Sequence, residues 1–253
     1  MNAIGLSTFI SREVQRFSRV YIQSLISPWI SALLYIVVFG KVVGSRIDLI
    51  AGVPYIDFVL PGIVMLNLIQ ASYQQGAFSL YMQRFQKSIE EILVSPLSYL
   101  EILIGFVTAA ILRGIIVGLG VYALALLFTR ATIEHFFIFL LYTIAVTFVF
   151  SCVGLIVGMW SKNFEQLNML NTFVIMPLMF LGGMFNSITM LPAAGQMAMK
   201  FNPFFYFIDG LRYSMIGLHE TNLAIGAVFM IITVVGLGTI VWRLFSIGWN
   251  IRS

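Results

Sequence analysis

Residues 134–160 read EHFFIFLLYTIAVTFVFSCVGLIVGMW. Past Glu134 and His135 the run is apolar to its end. About 20 helical residues cross a hydrocarbon layer about 30 Å thick, so the run is long enough to span a membrane. Lipid offers no hydrogen bonds to a backbone, which excludes an isolated strand and leaves a helix. Working outward, comparable runs lie at 22–40, 57–78, 99–128, 166–185 and 222–245. The 99–128 and 134–160 runs exceed the need and are expected to tilt or to extend beyond the hydrocarbon. Pro28 and Pro177 are expected to kink the first and fifth spans. Only 9% of the 253 residues are charged and 60% are hydrophobic, whereas soluble domains carry about 25% charge. The reading is an all-α integral membrane protein with six transmembrane helices in a single domain, 1–253, with no sizeable soluble domain beside them.

The flanks set the expected orientation. Over 4–21, Ile10, Val14, Phe17 and Tyr21 repeat on one helical face, with Arg12, Arg16 and Arg19 on another. This predicts an amphipathic helix lying in the membrane interface; a helical extension of the first span is the alternative. Six spans place both termini on one side. With the termini inside, Arg12, Arg16, Arg19, Arg84, Lys87, Lys162, Arg243 and Arg252 are inner, and Lys41, Arg46, Arg130, Lys200 and Arg212 are outer. The excess favours cytoplasmic termini, and the basic first helix suits an anionic inner leaflet. The net charge of +4 does not suggest a nucleic-acid partner. A single cysteine, Cys152, excludes a disulfide framework, and no cleavable signal peptide is expected.

Two connections carry more than a loop needs. Residues 83–96, QRFQKSIEEILVSP, predict a short amphipathic helix over 83–95 stopped by Pro96. Phe85, Ile89, Ile92 and Leu93 share one face, while Arg84, Lys87, Glu90 and Glu91 lie away from it. Such a helix on the cytoplasmic side is either a solvated face or a docking element that passes a partner's motion to two spans. The segment 186–221 is unusually apolar for a solvated loop. Asn202 is a candidate N-cap with Pro203 at the first helical position, and Asp209 and Arg212, three apart, are positioned to pair. Two short helices dipping into the outer leaflet are expected, where irregular backbone is tolerated against protein.

Chemistry of the catalytic kind finds no support. The Gly40-Lys41 pair is followed by Val42, and Tyr35 stands where a phosphate loop needs its first glycine. His135 and His219 are isolated, so no metal site is expected. Arg113, about 14 residues into the third span, costs about 2.5–3.5 kcal/mol in mid-membrane. It must therefore face the bundle interior, a cavity or a partner, as a pathway residue or as a clamp on carbonyls. Asn67, Gln70, Ser72, Gln74 and Gln75 in the second span, and Gln166, Asn168 and Asn171 in the fifth, suit either helix contacts or a wet lumen. The small residues Gly114 and Gly118 permit close helix approach. An ATPase-independent channel or carrier, or a membrane assembly scaffold, is the competing reading; a carrier would predict acids inside the spans, which are not evident.

The order of these features resembles the ABC type-2 transporter permeases, in particular a bacterial YadH/NodJ-like branch. The features are the amphipathic start, FGKVVGSRI at 39–47, FVLPGIVM at 58–65, EEILVSP at 90–96, Arg113-Gly114, and FLGGMF at 180–185 followed by NPFFYFIDGLRYSMIG at 202–217. The resemblance covers nearly the whole chain. It implies an inner-membrane homodimer paired with two separate ATP-binding subunits, with ATP and Mg bound in those subunits and no cofactor in this chain. It implies that the helix at 83–95 is a coupling helix, with Arg84, Lys87, Glu90 and Glu91 at the ATPase contact. The N-terminal helix becomes a connecting elbow, and 186–217 becomes two re-entrant helices closing the exit, with Asn202, Pro203, Asp209 and Arg212 at the outer gate. Arg113, Asn67, Gln70 and Asn171 become pathway or gating candidates. Export of a lipid-linked, saccharide or amphipathic drug-like substrate would follow.

Overall fold

The computed structural model describes residues 2–44, 46–47, 49–129 and 132–251, apart from the Lys41 side chain. Lys41's side chain, Arg130 and Arg252, counted in the charge balance, lie outside the described residues. The chain opens with α1 (Ala3–Arg19), followed by a first span over Ile22–Gly40 whose regular centre is α2 (Ser27–Val37). A two-residue hairpin, β1 (Leu49–Ile50) and β2 (Val53–Pro54), leads into α3 (Tyr55–Phe85), and α4 (Ile89–Val94) precedes α5 (Tyr99–Ala125). Then come α6 (Phe136–Trp160), α7 (Phe164–Leu170), α8 (Met176–Leu181), α9 (Ala193–Phe201), α10 (Pro203–Ile216) and α11 (Leu223–Ile247). Among the described residues, six helices are long and apolar enough to cross a membrane, the fifth being α7 and α8 joined as Phe164–Leu181.

The 31-residue α3 is the axis of the bundle, buried over most of its length, while the first, fifth and sixth spans leave most of their surface open. α3 packs chiefly on α6 and α5. Glycine permits this approach: a Cβ on Gly76 would meet the Ser151 carbonyl at 2.6 Å, and one on Gly154 or Gly158 would meet the Tyr73 or Ala77 carbonyl at 2.4 or 2.7 Å. In lipid, where apolar side chains gain little from merely leaving the solvent, such close backbone packing is a main source of helix association.

Pro28 and Pro177 each stand second in an α-helical segment, behind one π-helical turn, Ile22–Ile26 and Asn171–Ile175. A proline cannot donate to the carbonyl four residues back, so the ladder widens there. α1 buries Phe9, Glu13 and Phe17, not the predicted Ile10, Val14, Phe17 and Tyr21 stripe, and Tyr21 is exposed. The face is rotated so that Glu13 turns inward onto Ser79 and Gln83 of α3. Phe9 meets Phe106 edge to face at 5.1 Å. The Asn2 amide donates to Glu101 Oε1 at 2.6 Å, and Glu101 forms a capping box with Ser98 at the start of α5.

Candidate functional site

The connection after the second span is not one continuous helix over 83–95. α3 ends at Phe85, Lys87 takes a left-handed φ of +57°, and α4 begins at Ile89. Ile89 and Ile92 are buried as expected, whereas Phe85 is exposed and stacks on Tyr81 at 6.1 Å. Lys87, Glu90 and Glu91 are exposed to solvent. Arg84 is engaged elsewhere: its Nη1 donates to the carbonyls of Gly158 and Met159 at 2.7 Å and of Ser161 at 3.3 Å. These carbonyls end α6, where orphan acceptors and the helix dipole both favour a cation. Arg84 thereby fixes the end of α3 to the end of α6.

On the same side of the bundle, a cavity of about 300 Å³ opens between the end of α1, the first π turn, α3, α5 and α7. Its lining includes Ser24, Gln75 and Arg113, all buried, and Val20, Gln23, Phe78 and Asn168, all exposed. Arg113 Nη1 donates to Gln75 Oε1 at 3.3 Å, and Nη2 to the Ser24 carbonyl at 3.4 Å. That carbonyl lies four residues before Pro28 and so lacks its α-helical donor. Arg113 therefore does clamp a carbonyl, yet both bonds are long and its buried Nε has no partner in the protein. No ion pair involves Arg113 among the described residues.

The predicted companions of Arg113 do not converge on it. Asn67 donates to the Ile63 carbonyl of its own helix at 2.8 Å, Gln70 donates to Met176 Sδ at 3.0 Å, and Asn171 opens the π turn Asn171–Ile175. Residues about one or two turns away line the cavity in their place: Gln74, Gln75 and Asn168, together with Arg16 of α1. Arg16 donates to Ser79 Oγ at 2.7 Å and pairs with Glu13 at 3.0 Å. Glu13 also accepts from Gln83 Nε2 at 2.7 Å and from Ser79 Oγ. Burial raises the Glu13 carboxyl above its ordinary range, opposed by the Arg16 guanidinium, which lowers it.

On the opposite side, α9 and α10 are the two short helices expected within 186–221. Asn202 caps α10 as predicted, accepting from the Phe204 amide at 3.0 Å, with Pro203 at the first position. Its Nδ2 donates to the Leu178 carbonyl at 2.6 Å and ties α10 to α8. The expected Asp209–Arg212 pair is replaced by another arrangement. Arg212, fully buried, pairs with Glu220 at 3.3 Å, donates to the carbonyls of Gly183 at 2.6 Å and Phe58 at 3.3 Å, and lies 3.9 Å above the Phe58 ring. Asp209 accepts from the Glu220 and Thr221 amides at 2.7 and 3.0 Å. Chain reversal after α10 brings Glu220 back over Arg212, and i,i+3 spacing on a helix cannot anticipate that return. Glu220 also accepts from Ser187 Oγ and from the Ile188 amide. Gly183 takes a φ of +83°, a backbone conformation that favours glycine.

Among the described residues, no group of three His, Cys, Asp or Glu side chains could hold a metal ion. The arrangement offers hydrogen-bonded basic groups, an exposed acidic helix and a cavity. Comparison with known proteins gives the family. Residues 5–216 match the family model described as ABC-2 type transporter. The chain is 35% identical over 251 residues to the inner membrane transport permease YadH of Escherichia coli strain K12, covering 99% of this chain and 98% of that protein. It is 28% identical over 227 residues to nodulation protein J of Rhizobium meliloti strain 1021, covering 85% and 84%. Nodulation protein J of Rhizobium leguminosarum bv. trifolii matches at 26% over 210 residues. With six apolar spans, a matched region that reaches from α1 through α10, and a relative aligned end to end, this chain belongs to the ABC-2 type transporter membrane family and is a multi-pass membrane transport subunit.

Proposed function

We propose that this chain is the permease half of an ATP-driven exporter in the inner membrane, powered by a separate ATP-binding subunit that docks on α4. The observation that carries the reading is the exposure of Lys87, Glu90 and Glu91 on a short helix held by its buried Ile89 and Ile92. A charged helix seated on an apolar face, between two spans, is a surface on which a soluble partner can push. The termini are cytoplasmic in this reading, which sets α1 and α4 on the ATP side. ATP and Mg are held by the partner, in two copies against a homodimer of this chain. ATP binding closes the partner pair, α4 moves with it, and the two permease chains shift to open a path outward; hydrolysis resets them. In this scheme α9 and α10 are re-entrant and close the exit, with Asn202, Pro203, Asp209 and Arg212 holding that closure. The cargo is a lipid-linked, saccharide or amphipathic drug-like molecule.

The test is ATP turnover by the chain co-purified with its ATP-binding subunit. The charge reversals Glu90→Lys and Glu91→Lys together are expected to lower coupled turnover and transport while leaving the permease folded. The isolated permease is expected to turn over no ATP. Undiminished coupled transport in the double variant would remove α4 as the docking helix.

A further inference from the structure

The cavity beside Arg113 has more positive charge than its protein contacts use. A buried guanidinium has five donors; Arg113 places two of them in long bonds and leaves Nε without a partner. Arg16, about a third exposed at its side chain, lines the same space. The acid in reach, Glu13, already accepts from Arg16, Ser79 and Gln83. A buried cation in lipid that lacks a counter-charge is costly, and planar guanidinium donors fit tetrahedral oxyanions in paired hydrogen bonds. At the mouth, the exposed Val20, Phe78 and Phe164 are apolar, and Gln23 and Asn168 stand beside them. An anionic head inside and a greasy rim outside describe the two ends of one kind of molecule.

We propose that this cavity binds the phosphate group of an amphiphile, with Arg113 at its floor and Arg16 at its side, and with acyl or prenyl chains leaving past Val20, Phe78 and Phe164. Gln75 and Gln74 supply further polar contacts. The shared chemistry is a phosphate ester, whether carried by a bilayer phospholipid or by a lipid-linked cargo. The role of the site in transport rests on the permease reading above; the binding itself does not require the ATP-binding subunit. A failed Glu90/Glu91 experiment therefore leaves the site standing, and a failed binding experiment leaves the docking of α4 standing.

The experiment is native mass spectrometry of the purified full chain in detergent micelles, titrated with dioleoyl phosphatidylglycerol or with dioleoylglycerol, which lacks the phosphate. Phosphatidylglycerol is expected to be retained preferentially. Arg113→Gln is expected to weaken its retention by about tenfold or more, the loss of at least one charge-assisted hydrogen bond, and Arg113→Lys to restore part of it. Gln23→Trp obstructs the mouth without touching Arg113 and is expected to weaken retention similarly; it decides the matter should Arg113→Gln fail to fold. Competition by millimolar inorganic phosphate supports recognition through the phosphate group. Its failure to compete, with Arg113 still required, supports a chain-anchored ligand. Equal retention of the two lipids, or phosphatidylglycerol retention unchanged by Gln23→Trp or by a folded Arg113→Gln, overturns the proposal.

Discussion

Two buried arginines divide this molecule between them. Arg212, at the end that carries α9 and α10, has a carboxylate, two carbonyls and an aromatic ring around it. Arg113, toward the α4 end, has one amide oxygen, one carbonyl and an adjoining cavity. Both bear the cost of removing a guanidinium from water. Arg212 recovers that cost within the fold, because a desolvated ion pair with additional hydrogen bonds is the geometry in which Coulomb attraction can offset desolvation. Arg113 leaves part of it unrecovered. A saturated arginine serves as a rivet; an unsaturated one beside a cavity is available to something outside the protein.

The comparison is broken most directly at Glu220. Removing one partner of a buried pair leaves the other charge uncompensated, so Glu220→Ala is expected to destabilise the fold by about 3–5 kcal/mol, read as a lowered thermal midpoint in detergent. A double-variant cycle of Arg212→Met and Glu220→Ala is expected to give a coupling of about 1–3 kcal/mol; additive effects would mean that the pair is not an energetic unit. Arg113→Met is expected to change stability by about 1 kcal/mol or less, since its two bonds are long and their loss is offset by relief of desolvation. A loss as large as that at Glu220 would erase the distinction between the two arginines.

The smallest effect is at Glu13. Its carboxyl is raised above the ordinary value of 4.5, chiefly by burial, so the folded state binds a proton more readily than the unfolded chain. The penalty on the charged form is present above the folded value and is relieved as pH falls toward 4.5. Stability of the natural chain relative to Glu13→Gln is therefore expected to rise on acidification from neutral pH toward 5. Thermal midpoints of the two proteins across that range check the sign.

The spans were legible because hydropathy over about 20 residues needs no tertiary information. The cap at Asn202 is legible because a side chain to backbone bond over two residues leaves a local pattern, and the stop before α5 because Pro96 lacks the donor a helix needs. The functional constellations were harder. Asp209 and Arg212 are correctly spaced for a helical pair, yet Glu220, returning from a turn, takes the arginine. Glu13 sits in a segment that reads as a lipid-facing helix, and only Ser79 and Gln83, more than sixty residues away, explain why it faces inward. The break at Lys87 has no glycine to announce it. Arg113 stands out in the sequence by its cost alone, while its partners depend on which turn of α3 and of the first span meets it.

Arg84 has a mechanical consequence under the proposed docking of a partner on α4. Its guanidinium joins the end of α3 to the end of α6, and the glycine seam at 76, 154 and 158 packs those helices backbone against backbone, so a push at α4 would meet a braced pair. The displacement would travel as the tilt of a single lever two helices thick, whose far end lies beside α10.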